Sequence, residues 1–199
     1  MHTALRLALL YSHLLLAVFA LHAVLSTDWR LLRSRISASH LLRTHRQVAA
    51  LLVGLWLSGL AIVALDGWDQ LAVNPKLQAK LLCVCLLTAN GFLLRLWCFP
   101  RLISDRPLAG LEASLLMICG ALSTTSWLVA GFLGMAKPLA YWSLTQNLLI
   151  LAAALAVAVP VALSLRWRLQ DGRLGRMPGT RRPGRAQPAT LAKLEVRHP

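Results

Sequence analysis

Charged side chains are scarce in this sequence. They make up 14% of the 199 residues, whereas soluble domains contain roughly 25%. Hydrophobic residues reach 57%, and the mean hydropathy is +0.62. Leu, Ala and Val replace the missing charge in blocks that exceed the roughly 18 apolar residues typical of a membrane-spanning helix. The chain is therefore predicted to be an integral membrane protein.

Cysteine is also rare, and none of the four cysteines belongs to a C-x-x-C pair. A disulfide framework or a structural zinc site is therefore not expected, and the cysteines are interpreted as small buried apolar residues. Cys83 and Cys85 lie about 200° apart on a helix, which is a poor arrangement for one copper ion. Walker, nucleophile-elbow, H-E-x-x-H and Rossmann motifs are absent too, so no catalytic site is predicted.

Five apolar blocks, each of about 20 residues or more, predict an all-α bundle of five transmembrane helices. The blocks run over about 5–26, 47–66, 79–99, 109–134 and 140–165. Strands are not expected, because the blocks are continuously apolar instead of alternating. The bundle is predicted to occupy residues 1–166. The tail, 167–199, is rich in Pro, Gly and Arg and is predicted to be disordered.

The basic residues are distributed unequally between the two sides of the predicted bundle, which indicates its orientation. With the N-terminus outside, only four of the 21 Lys and Arg residues face outward: Arg6, Lys76, Lys80 and Lys137. An N-out, C-in topology follows, and it explains the net charge of +14 without nucleic acid. The predicted partners are the lipid bilayer and anionic lipids at the basic tail, at about 1 kcal/mol per basic residue near the surface. A homo-oligomer is a further candidate.

The third, fourth and fifth predicted helices contain no histidine. A membrane b-haem normally needs two imidazoles from different helices. His22, near the inner end of the first helix, and His45, just before the second, form the predicted pair for haem b or copper. His13 and His40 are weaker alternatives as metal ligands. A structural histidine, or a base in the connecting loop, is the competing interpretation.

Arg95 lies at the end of the third predicted helix, and Glu112 lies at the start of the fourth, near the same inner level. They are predicted to form an inner-side polar cluster with His22 and His45, and an ion pair between adjacent helices is one arrangement of the two charges. In the alternative, Arg95 extends alone to lipid phosphate.

Asn90 and Gly91 fall near the middle of the third helix. An asparagine there can bridge helices for about 1 kcal/mol, and a glycine allows close helix approach. Helix packing is therefore the predicted role, with Ser58 and Asn147 among the polar partners. A substrate path is the alternative, but it would need a carboxylate or cation at mid-depth, and the sequence predicts none there.

The stretches WLSGLAIVALDGW and NPKLQAKLLCVCLLTANGFLLRLWCFPRL combine a W-x-x-G-type helix end with a Lys-led helix that contains Asn-Gly. Over about residues 10–105 the chain resembles a loose group of small uncharacterised bacterial inner-membrane proteins, and is distantly similar to the copper-resistance D-like membrane domain. The resemblance implies a bacterial inner membrane and matches His13 or His22 to a histidine that opens the first helix. Arg95 stands where some members carry a histidine, which weakens the inference of haem or copper.

Three functional hypotheses follow from these patterns. The leading one is a non-enzymatic, multi-pass inner-membrane protein of accessory or structural role. The second is a membrane protein that handles b-haem or copper through the inner-side histidines. The third is a small-solute permease that works as an oligomer.

Overall fold

The computed structural model describes residues 2–33, 37–103 and 110–166, and this part of the chain is helical without any strand. Seven α-helices follow one another: α1 His2–Arg33, α2 Ala38–Asp66, α3 Gln70–Val73, α4 Pro75–Leu93, α5 Phe99–Ile103, α6 Gly110–Met135 and α7 Leu144–Ser164. A π-helical turn, Leu94–Cys98, joins α4 to α5, and a 3₁₀ turn, Lys137–Tyr141, precedes α7. The tail predicted to be disordered lies outside the described residues.

Five helical segments of the described chain are long and apolar enough to cross a membrane. They are α1, α2, α4 with its continuation to Arg101, α6 and α7. The prediction of an all-α, five-span membrane protein is thereby confirmed in its helix number and class. The apolar exterior, which includes Leu96 at 73% exposure and Leu111 at 73%, suits contact with lipid chains.

The first two helices extend well beyond their predicted limits. The prediction followed apolar continuity, which stops at the first polar residues, but α1 continues to Arg33. Helix α2 begins where the side chain of Ser37 accepts a hydrogen bond from the His40 amide at 3.3 Å. His40 and His45, placed in a loop by the sequence, therefore lie on the first turns of α2.

Three other helix ends also have clear local causes. Gly67 adopts φ 103° after α2, a conformation that favours glycine, and its amide donates to the Val63 carbonyl at 2.9 Å. The side chain of Asn74 accepts from the Leu77 amide at 3.1 Å, with Pro75 as the first residue of α4. Ser143 and Gln146 form a reciprocal capping box at the start of α7.

The spanning helices pack into two main apolar clusters. Helix α1 packs chiefly on α2, and α6 packs chiefly on α7 and α4. One cluster joins Ala20, Leu55, Leu87 and Trp127; the other joins Ala79, Cys83, Val129, Leu133, Leu139 and Leu151. The Arg6 guanidinium closes one end of the α1–α2 pair by contacting both oxygens of Asp66, at 2.6 and 3.0 Å. We call this the Asp66 end, and the opposite end, where α2 begins, the Arg46 end.

The π-helical turn has a local explanation in Pro100. A proline lacks the amide hydrogen and its ring clashes with the carbonyl four residues earlier, here that of Leu96. The wider turn relieves this conflict, since the Phe99 amide donates to Leu94, five residues back. The helix predicted over 79–99 thus continues to Ile103 with an altered register after Leu93.

Candidate functional site

A cavity of about 810 Å³ lies between all five spanning helices. We call it the central cavity. Its volume falls in the range of roughly 300–1,000 Å³ that is typical of ligand pockets. The walls are mostly apolar, and the ionisable residues that line it are Asp28, His45, Arg46 and Arg95. Apolar walls with a few convergent polar groups are typical of a binding site.

Two glycines keep the central cavity open. A Cβ atom added at Gly91 or at Gly120 would meet no atom within 4 Å, and both residues line the cavity. The close helix approach predicted at Gly91 is therefore wrong. Close approach occurs on α2 instead, where a Cβ at Gly54 would lie 3.1 Å from the Leu16 side chain.

Asp28 is a half-buried acid on the wall of the central cavity. The Thr124 hydroxyl donates a hydrogen bond to its carboxylate, and Thr124 lies near the middle of the 26-residue helix α6. Asp28 itself lies two residues from the end of its spanning segment, Thr3–Arg30, so the expectation that no carboxylate reaches mid-depth stays a prediction. The sequence placed Asp28 in a connection because it ended the first helix too early. The absence of Gly and Pro between Leu21 and Arg33 was the signal that the helix continues.

A second hydrogen bond along the same cavity joins α2 to α4. The Trp56 indole donates to the Thr88 hydroxyl at 3.1 Å, and that hydroxyl donates to the Val84 carbonyl at 2.8 Å. Both side chains line the cavity. Polar groups of the wall are thus engaged between helices, which holds the wall in place.

The predicted haem ligands are not brought together. His45 lines the central cavity and packs edge-on against Phe99, with ring centroids 4.9 Å apart. His22 is exposed, and the cavity residues Val24 and Asp28 lie about 200° and 240° round α1 from it. The two imidazoles therefore do not share the central cavity. Ligation by His22 and His45 stays a prediction from the sequence alone.

The weaker metal candidates lie at separate places. His13 Nδ1 is 2.8 Å from Ser58 Oγ, and that hydroxyl lies 2.7 Å from the Gly54 carbonyl. The hydroxyl has one proton, which it donates to Gly54, so His13 donates to Ser58 and ties α1 to α2. His40 lines a smaller pocket, the basic pocket, with Ser39, Leu42, Arg43, Arg46 and Arg95. Within the described residues no group of three or more His, Cys, Asp or Glu could hold a metal ion.

The predicted inner-side polar cluster forms only in part. Arg95 and His45 share the central cavity, but Glu112 pairs with Arg101, with Nε and Oε1 3.4 Å apart. Arg101 also stacks over Trp97 at 3.9 Å from the ring centre. Arg95 belongs to the π-helical turn and Arg101 follows it, so the two arginines leave the helix in different registers.

The two buried asparagines have different tasks. Asn90 donates to the Cys119 carbonyl at 2.9 Å and so links α4 to α6. Asn147 instead lies near the Leu139, Trp142 and Ser143 carbonyls at 3.4, 3.3 and 3.0 Å, and holds the connection before its own helix. Helix bridging therefore describes Asn90 and Ser58, whereas Asn147 stabilises a local turn.

The cysteines are all free, and three of them are buried as the sequence predicts. Cys85 is exposed on the apolar surface of α4, away from the buried Cys83.

No known relative emerges. The chain matches no protein-family model, no curated protein and no solved structure. Function is therefore inferred from the central cavity and the groups that line it.

Proposed function

We propose that this chain is a non-enzymatic, multi-pass protein of the bacterial inner membrane, with an accessory role that depends on binding a membrane-resident ligand. The central cavity carries the proposal. It has the size of a ligand site, its walls are apolar, and all five spanning helices contribute to it. The polar wall residues Thr88 and Thr124 are engaged in contacts between helices, which hold the wall of the cavity in place.

The orientation and the membrane belong to the same proposal. The N-out, C-in topology is supported by the excess of Lys and Arg in the connections at the Arg46 end. In this orientation the basic pocket faces the cytoplasmic leaflet. The bacterial inner membrane is supported by the resemblance over residues 10–105.

The test is photolabelling with a neutral probe. A long-chain alcohol with a diazirine, added to the protein in nanodiscs, is expected to label peptides of α2 and α6 that line the cavity. The Gly120→Leu substitution fills the cavity, because the position faces open space, and is expected to reduce this labelling several-fold. Gly131→Leu is the matched control: it lies on the same helix, also faces open space and lies outside the cavity wall.

Two results would contradict the proposal. One is labelling spread evenly over the apolar exterior of the wild-type protein. The other is equal loss of labelling in the Gly120→Leu and Gly131→Leu variants, because the loss would then reflect a general disturbance of α6.

A small-solute permease, working as an oligomer, is the second candidate, and Asp28 is the observation that favours it. An acid inside a transmembrane bundle commonly marks an ion or substrate path. Proteoliposomes that contain the wild-type protein are expected to take up at least one solute from a broad panel, and the Asp28→Asn substitution is expected to reduce that uptake. Asp66→Asn, which removes an exposed acid at the opposite end, serves as the control. Uptake that is absent, or unaffected by Asp28→Asn, rejects this candidate.

A further inference from the structure

The basic pocket and the central cavity adjoin each other at the Arg46 end. The basic pocket measures about 610 Å³, and Arg46 and Arg95 line both spaces. An apolar chamber is therefore bordered by a cationic one, and two guanidinium groups stand at the boundary between them.

The positive charge of the basic pocket is not compensated within the described structure. Arg43, Arg46 and Arg95 form no ion pair with a described carboxylate. Two described carboxylates have other partners: Glu112 pairs with Arg101, and Asp28, on the wall of the central cavity, accepts from Thr124. Three arginines beside one another repel, and an anion between them would relieve that repulsion.

The π-helical turn contributes directly to this arrangement. Arg95 is the second residue of that turn and lies at the boundary of the two spaces. Single π-helical turns in α-helices occur frequently at functional sites. Arg46 approaches the same boundary from α2, so two different helices supply the two shared arginines.

We propose that the two spaces together hold one anionic phospholipid, with its phosphate between Arg46 and Arg95 and an acyl chain in the central cavity. This inference rests on the proposed function and names its ligand. Guanidinium groups bind phosphate oxygens through paired hydrogen bonds, and basic pockets between transmembrane helices bind anionic headgroups. The apolar walls next to the arginines exclude a fully soluble phosphate as the natural occupant, since such a ligand would leave the central cavity unused.

Asp28 shares the central cavity with Arg46 and Arg95, accepts a hydrogen bond from Thr124 there, and is absent from the wall of the basic pocket. His40 and Ser39 complete the basic pocket and can donate further hydrogen bonds to a headgroup.

The experiment measures which lipid the purified protein retains. The protein is exchanged into mixed micelles with equal amounts of dioleoylphosphatidylglycerol and dioleoylphosphatidylcholine, and bound lipid is counted by native mass spectrometry. The wild-type protein is expected to retain the anionic lipid about tenfold more than the zwitterionic one. Arg46→Gln and Arg95→Gln are each expected to reduce that preference several-fold.

Lys137→Gln is the matched control, because it removes one positive charge from an exposed position at the Asp66 end and is expected to keep the full preference. Helix content by circular dichroism and thermal unfolding without anionic lipid show that the arginine variants are folded. Both arginines are exposed, so their replacement is expected to leave folding intact.

Further measurements distinguish the contribution of the headgroup to lipid retention from that of the acyl chain. Gly120→Leu is expected to lower phosphatidylglycerol retention, because the acyl chain loses its space. Inorganic phosphate at millimolar concentration is expected to displace little of the bound lipid. Equal retention of the two lipids by the wild type, displacement by free phosphate, or retention unaffected by Gly120→Leu would each overturn the proposal.

The outcomes also separate this inference from the proposed function. If the neutral probe labels the cavity but the protein shows no headgroup preference, the anionic lipid is rejected and the proposed ligand-binding cavity stands. If the protein shows neither cavity labelling nor a headgroup preference, the proposed function is rejected as well.

Discussion

At the scale of single residues, the hydrogen bond between Thr124 and Asp28 satisfies an acid inside the bundle. Thr124 is the only hydrogen-bond partner of that carboxylate among the described residues. The Thr124→Val substitution is expected to lower the free energy of unfolding by about 1–3 kcal/mol, because it leaves the half-buried acid without a partner. Denaturant titration of the detergent-purified protein measures the change.

The control for this prediction is a protein that already carries Asp28→Leu. There the same Thr124→Val substitution is expected to cost no more than about 0.5 kcal/mol, since no acid is left unsatisfied. Equal losses in the two backgrounds would show that Thr124 acts through packing alone.

Asn90 offers a second prediction at this scale. Asn90→Leu is expected to cost about 1 kcal/mol, because one hydrogen bond to the Cys119 carbonyl is lost between α4 and α6. The amide oxygen of Asn90, Oδ1, has no hydrogen-bond partner among the described residues, so the substitution removes no further hydrogen bond. Asn147→Leu, which removes contacts to three carbonyls, is expected to cost more. A larger loss at Asn90 than at Asn147 would contradict this order.

At the scale of elements, the π-helical turn holds one residue more than an α-helical turn would. Deleting Leu96, which is exposed, is expected to make the bond from the Phe99 amide to the Leu94 carbonyl an ordinary α-helical bond and to leave Phe99 and Arg101 on their present faces. The Pro100 ring would then meet the carbonyl of Arg95, four residues before it, so the melting temperature should fall while helix content stays constant. Circular dichroism during heating measures both quantities.

The control for the deletion keeps the number of residues. Leu96→Ala is expected to change the free energy of unfolding by no more than about 0.5 kcal/mol, as for most surface substitutions. A deletion variant as stable as the wild type would show that the turn is not needed to relieve the conflict at Pro100.

The capping box of α7 gives another prediction at the element scale. The Ser143 side chain accepts from the Gln146 amide at 3.2 Å, and the Gln146 side chain accepts from the Ser143 amide at 2.9 Å. Ser143→Ala is expected to cost about 1 kcal/mol of unfolding free energy, because a helix-end amide loses its partner. Ser143→Asp should retain most of the stability, since Asp caps equally well. Equal loss in both variants would argue against a capping role.

At the scale of the whole molecule, the proposed orientation can be read with reporter fusions. Alkaline phosphatase fused after Asp69 or after Lys137 is expected to be active, because both positions lie in connections predicted to face outward. A fluorescent protein fused after Pro199 is expected to fold and fluoresce inside the cell. The opposite pattern of reporter activity would show that the bundle has the inverse orientation, with the basic pocket on the outer side.

The fold class follows from local features of the chain. Each spanning helix is predicted by the length of its own apolar run, and the described structure contains all five. The helix ends were less accessible to prediction, because α1 and α2 extend through polar residues that are compatible with a helix. Helix limits at such places depend on the neighbouring helix, against which α1 and α2 pack along their length.

The candidate site was predicted only in parts. His45 and Arg95 were selected from the sequence, and the structure places both on the central cavity. Asp28 was missed because it was assigned to a connection, and Arg46 was treated only as a basic residue of that connection. Of the two arrangements expected for Arg95, the ion pair with Glu112 is not the one observed, because Glu112 pairs with Arg101 beyond the π-helical turn.

The sequence by itself determined the solvent in which this protein folds, since long apolar helices are stable only where every backbone polar group is bonded within the helix and the exterior meets lipid. It also determined the distribution of positive charge along the chain. Only the tertiary structure decided which faces meet. The bond from Thr124 to Asp28 joins residues 96 positions apart, and the gaps left by Gly91 and Gly120 become part of a cavity only when all five helices line a common space. Such a space depends on the packing of distant faces, which no single helix specifies.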